Sequence, residues 1–97
     1  MKIVSKDQVV KFQKKHSRAT AVITLYNALE EEDFKNNKEV TERFSRSNVI
    51  KNRKDTIVFR VGGNKYRLII KFNYKFNLGR ILFIGTHPEY DDYLKLN

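Results

Sequence analysis

The 97-residue chain has no cysteine and no tryptophan, a single proline and only four glycines. Without cysteine there is no disulfide, no thiolate nucleophile and no thiolate metal ligand, and a reducing cytoplasm is the expected setting. So little proline and glycine leaves no composition for a flexible linker or a low-complexity tail. Met1-Lys2-Ile3-Val4-Ser5 runs straight into charged residues without the apolar stretch of a secretory signal. No segment approaches the ~20 consecutive apolar residues of a membrane span. One domain over residues 1–97, around a single modest core, is the expected organisation. Two histidines cannot close a zinc site. His87, Glu89, Asp91 and Asp92 are the most that a single divalent ion would find, and no metal or cofactor is expected.

Acidic residues are the other scarcity, and it is local. Residues 1–50 carry a net charge of +3, residues 51–80 of +8 and residues 81–97 of −2. In the middle block nine Lys and Arg residues face Asp55 alone. Solubility does not require excluding acids from thirty residues. Such a block attracts polyanions: nucleic acid first, then an anionic membrane, then an acidic protein.

What is present reads as an α+β chain with N-terminal helices packed on a small antiparallel sheet. Lys2-Ile3-Val4 suits a short strand, and Ser5 with Gln8 fits a capping box for a helix over 6–15 that would bury Val9, Val10 and Phe12. Ser17 is placed to cap a second helix whose stripe is Val22, Leu25, Tyr26 and Leu29. His16 falls on the surface between the two. Glu30 to Asp33 close the second helix with charges unfavourable at a C-terminus unless cations answer them. Asn37 is the candidate cap of a third helix ending near Phe44. From residue 47 the period becomes 2, predicting strands at 48–50, 56–61, 65–73 and 80–85. Gly62-Gly63-Asn64 supplies the positive φ of a tight hairpin. Pro88 is expected to end strand pairing with His87 extended before it, and Glu89, Asp91 and Asp92 to open a last helix.

The stretch GGNKYRLIIKF is the most informative. As a strand it places Tyr66, Leu68, Ile70 and Phe72 on one face and Lys65, Arg67 and Lys71 on the other. Either plausible turn register puts Arg60 on that same cationic face. Like charges across strands repel by some tenths of a kcal/mol per pair. Phosphates opposite the cations would relieve that repulsion. Arg67 could instead pair with the acids at 30–33, and Lys65 could be a turn-flanking surface residue.

The stretch FIGTHPEYDDY supplies the rest. His87 and Tyr90 are spaced to share one side of a helical turn, beside a glycine that allows close approach. Imidazole, phenol, lysine and guanidinium at a basic groove suit RNA cleavage without a metal. A 2′-hydroxyl loses its proton and attacks phosphorus while the 5′-oxygen is protonated as it leaves. Arginine suits the charge that builds on the phosphorane oxygens. A helix-capping His87 and a packing or base-stacking Tyr90 are the alternatives.

The run from Asn52 to Tyr74 that contains VFRVGGNKYRLIIKFNY, followed by ILFIGTHPEYDDY, resembles the signature of HigB-type toxins of bacterial type II toxin–antitoxin systems. Lys54-Asp55 is a departure from the pattern. The resemblance implies a compact RelE-like fold and an mRNA endonuclease acting in the ribosomal A site of the small (30S) subunit. It also implies neutralisation by a cognate helix-turn-helix antitoxin of the HigA type. By position it points to Lys65, Arg67, His87 and Tyr90 as catalytic residues. Arg53 and Asn64 are secondary, and with Arg60, Lys71 and Lys75 they make up the expected RNA-binding set. A non-catalytic RNA- or ribosome-binding module using the same face is the rival expectation.

Overall fold

A computed structural model describes residues 1–17 and 19–96. Its elements are β1 (Lys2–Val4), α1 (Lys6–Lys15), α2 (Thr20–Glu31), α3 (Asn37–Arg43), β2 (Ser47–Val49), β3 (Thr56–Val61), β4 (Tyr66–Asn73), β5 (Leu78–Thr86) and α4 (His87–Leu96). The five strands form one sheet in the order β1-β5-β4-β3-β2. The run β2 to β5 is an antiparallel meander, as the alternation predicts. The sheet as a whole is mixed, because β1 joins β5 in parallel. That pairing links residues more than seventy positions apart, which no local pattern reveals.

One face of the sheet carries Ile57, Phe59, Leu68, Ile70, Phe72 and Ile81, and the N-terminal helices bury it with Val9, Phe12, Val22, Tyr26, Leu29 and Val40. Alternation along β3 and β4 puts these strand residues on one side. The apolar stripes of α1 and α2 close over them. Tyr74 fastens α3 by donating its hydroxyl to Asn37 Oδ1. Burial pushes that phenol's pKa well above its ordinary value.

Several local expectations are corrected. Ser5 stands at the N-terminus of α1 in the left-handed region (φ 75°) and makes no side-chain cap. Its carbonyl accepts from Gln8 N instead, at 3.0 Å. Val10 lies on the outer side of α1 and is 40% exposed. Ala19, not Ser17, precedes α2, and the cap of α3 is Asn36, whose side chain accepts from Glu39 N at 2.9 Å. His16 is packed rather than free, its ring 4.5 Å from Phe12 and 5.6 Å from Tyr66. The acids closing α2 are answered by cations: the Met1 amine reaches Asp33 at 2.9 Å and Arg43 reaches Glu32 at 2.9 Å.

The other face of the sheet is not the open cationic surface that alternation suggests. Its middle row, Val58–Ile69–Phe83, is apolar, and Val58 and Ile69 are buried. Helix α4 lies over this row, with Phe83 4.9 Å from Tyr93 and 6.4 Å from Tyr90. Between Ile70↔Ile81 and Ile69↔Phe83 the register shifts, so Leu82 is an extra residue that β5 accommodates as a bulge. Among the described residues no helix is long and apolar enough to cross a membrane.

Candidate active site

The site begins at the hairpin between β3 and β4. Gly62, Gly63 and Asn64 all have positive φ (64°, 61° and 84°). A Cβ on Gly62 would stand 2.9 Å from Tyr66 Cδ2, so glycine is required there for space as well as for conformation. The turn pairs Val61 with Tyr66 and sets Arg60 directly opposite Arg67. It also turns Asn64 back over β4. Arg67 Nη1 donates to the Asn64 carbonyl at 3.0 Å and the Tyr66 carbonyl at 3.2 Å, and Nη2 donates to Asn64 Oδ1 at 2.9 Å.

Arg67 is thus a fixed cation, 5% exposed, and none of the acids at 30–33 is its partner. Burial, and secondarily the facing Arg60, lower its pKa, while Tyr90 and Asp91 oppose the shift. A guanidinium remains protonated at neutral pH even so. Its Nε edge has no protein acceptor among the described residues, which leaves a side-on fork suited to two oxygens of one phosphate. Arg60 is held in turn, donating from Nη1 to Asn48 Oδ1 on β2.

Helix α4 brings the remaining groups. It starts at His87, one residue before Pro88, rather than after it. The reason is a capping box at Thr86-x-x-Glu89. Glu89 Oε1 accepts from Thr86 N at 2.8 Å and Thr86 Oγ1 at 2.9 Å, and Glu89 N donates back to Thr86 Oγ1 at 3.4 Å. The backbone hydrogen bond from Thr86, then its hydroxyl, hold the Glu89 carboxyl below the ordinary carboxylate range. His87 N donates to the Lys65 carbonyl at 3.1 Å, so the β4–β5 ladder continues to the first residue of the helix. Its ring turns to the next turn of α4, Nδ1 lying 3.4 Å from Asp91 Oδ2. Tyr90 sits with its ring centroid 5.7 Å from Arg67 Cζ.

The sequence-derived residues therefore divide. Tyr90 stands against Arg67, the backbones of Lys65 and His87 are hydrogen-bonded where the hairpin adjoins α4, and Asn64 is the clamp on Arg67. Arg53 and Arg60 line an adjoining cleft of about 480 Å³ with Tyr90, Asn48, Lys51 and Leu94. Arg53 lies 5.7 Å from the Tyr93 ring. Lys71 and Lys75 are not part of this group. They lie toward the opposite end of the sheet, Lys71 being four residues, or about 13 Å, along β4 from Arg67. Missing from the sequence-derived set were Asn48, Asp91 and the Thr86–Glu89 cap. The last two had signals, a His–Asp spacing of i,i+4 and the pattern T-x-x-E. Among the described residues no group of three or more His, Asp or Glu is placed to hold a metal.

No curated protein matches the chain. A family model described as HigB_toxin, RelE-like toxic component of a toxin-antitoxin system, matches residues 18–93. The match takes in the hairpin, the bulged strand and the start of α4 that build the site, and the chain belongs to this family of RelE-like HigB toxins.

Proposed function

We propose that this toxin is a metal-independent mRNA endonuclease that cuts messages in the ribosomal A site and is neutralised in the cytoplasm by a helix-turn-helix antitoxin. The observation that carries the reading is Arg67: a nearly buried guanidinium, clamped by Asn64 and Tyr66, with its Nε edge unmatched beside a cationic cleft. A cation held this way costs little reorganisation when charge develops on a substrate, which is how electrostatic stabilisation of a transition state works.

In this mechanism the phosphate bearing the scissile bond takes the Arg67 fork, with Arg60 and Arg53 receiving neighbouring phosphates. Lys65 and His87, joined through their backbones, handle the protons. One relieves the 2′-hydroxyl of its proton and the other protonates the departing 5′-oxygen. Asp91 orients His87 through Nδ1 and keeps Nε2 toward the reacting atoms. Tyr90, against the Arg67 guanidinium, stacks on a base or fixes the phosphate's approach.

The test is induced expression in bacteria of wild type beside Arg67→Ala and His87→Ala, mapping new 5′ ends on cellular messages. Growth arrest with fresh cuts at codon positions, lost in both variants while each remains folded by circular dichroism, is the expected result. Intact messages and normal growth from folded wild-type protein would sink the nuclease reading. Salt-sensitive RNA binding without new ends would leave a non-catalytic RNA- or ribosome-binding module.

A further inference from the structure

The face of the sheet that carries Arg67 has a second cationic end. Lys71 stands directly opposite Arg80 in the β4–β5 pairing, and both are exposed. Among the described residues neither side chain has a hydrogen-bond or ion-pair partner. Two grooves of about 370 and 340 Å³ flank Lys71 and share Lys71, Phe72 and Asn73 as a common wall. Arg80 and Val4 line the first, and Lys54 and Lys75 line the second. Asp55 is the one acid in either. Beyond them the 74–77 turn projects Phe76, 64% exposed, with Lys75 Nζ 5.7 Å from its ring.

We propose that this end, built on Lys71 and Arg80 with Lys54, Lys75 and Phe76, is a separate docking surface for the phosphate backbone of folded RNA, which holds the toxin on the ribosome while the Arg67 end takes the message. The proposal rests on the nuclease reading above. Charge decides the partner. An antitoxin or other protein would need an apolar centre to its interface. Among the described residues Phe76 is the large hydrophobic left exposed at this end, Val4, Phe72 and Leu78 being partly or wholly buried in the wall of the first groove. A lone aromatic among unpaired cations suits a polyanion whose phosphates meet the cations and whose bases or riboses meet the ring. The separation from Arg67, about 13 Å along β4, is too great for one phosphate to serve both ends.

The experiment measures binding to purified, mRNA-free small ribosomal subunits and to a duplex RNA hairpin, over a range of salt. All proteins carry Arg67→Ala, so nothing is cut. Adding Lys71→Gln with Arg80→Gln is expected to weaken binding to both probes by about tenfold or more at low salt. The slope of log K against log salt should become shallower by about 2, one for each lost phosphate contact. Both side chains are exposed and mutually repulsive, so the doubly substituted protein should fold. Unchanged affinity and slope overturn the proposal, and so does a loss confined to antitoxin binding. Failure of the nuclease reading looks different: the Arg67→Ala protein binds subunits and loses that binding on Lys71/Arg80 substitution, yet protein with Arg67 intact cuts no message in the expression test above.

Discussion

Two cross-strand cation pairs lie on the same face of the sheet, Arg60–Arg67 and Lys71–Arg80. Each is a pair of cations facing one another across adjacent strands. In the fold they have opposite fates. Arg67 is buried, triply hydrogen-bonded and faced by Tyr90, and Arg60 is tied to Asn48. Lys71 and Arg80 stand exposed in open grooves. The difference comes from what borders each pair. The positive-φ turn delivers Asn64 onto Arg67, and the Thr86–Glu89 cap starts α4 early enough to set Tyr90 above it. The other end has neither. A pinned cation suits a reacting phosphate, whose charge must be met in one geometry. Free, flexible cations suit a backbone that only has to be held.

The sharpest way to break this contrast is to remove the pinned member. Arg67→Ala should lower the cleavage rate by about 10²- to 10³-fold, the usual cost of losing one fixed oxyanion donor, measured as initial rates on ribosome-bound message. Arg67→Lys should recover little, since an ammonium has no fork. Next is the clamp. Asn64→Ala leaves a buried guanidinium short of an acceptor and puts alanine at φ 84°. It should cost about 1–3 kcal/mol in urea unfolding and slow cleavage, without altering the salt slope of binding.

The cap of α4 gives a pH-dependent test. Glu89 titrates below its ordinary value because of Thr86, so its contribution is present above about pH 4.3, the unfolded value, and is lost as pH falls through the lower folded value. Glu89→Ala should therefore be less stable than wild type at neutral pH. The gap should close in acid, as read from urea midpoints at each pH. The smallest effect belongs to the unpinned pair. Lys71→Gln should leave stability unchanged or raise it by a few tenths of a kcal/mol, because relief of repulsion outweighs anything lost. A marked loss of stability would mean that this lysine is structural after all.

The regular parts of the fold were legible where a local rule acts alone. The expected helix over 6–15 matches α1 in its bounds, though Val10 is not buried, and the alternation of Ile57, Phe59 and Val61 placed β3. The turn chemistry of Gly62-Gly63-Asn64 was equally plain. The cap at Ser5 failed because that residue is left-handed, not in the extended conformation of a capping residue, and its side chain makes no cap hydrogen bond. Coverage of the cationic face was invisible for a different reason. Helix α4 buries none of its own residues, so it shows no clear apolar stripe, and its packing depends on Phe83 reaching the far face. Of the site, the hairpin residues could be read from the chain. Asn48, which comes from a different strand, could not.

Phe83 reaches that face only because of the bulge at Leu82. In unbroken pairing Phe83 would fall in the core opposite Leu68, and Ile84 would lie against Arg67. The bulge acts as a shim in the middle of β5. The half before it is locked to the hydrophobic interior, while the half after it, with His87 and Tyr90 attached, is positioned by how one surplus residue is absorbed. Deleting Leu82 would straighten β5 while keeping Phe83 opposite Ile69 and Gly85 opposite Arg67, whereas pairing Leu82 into the ladder would slide the histidine and tyrosine by one residue, roughly 3.3 Å, against Arg67.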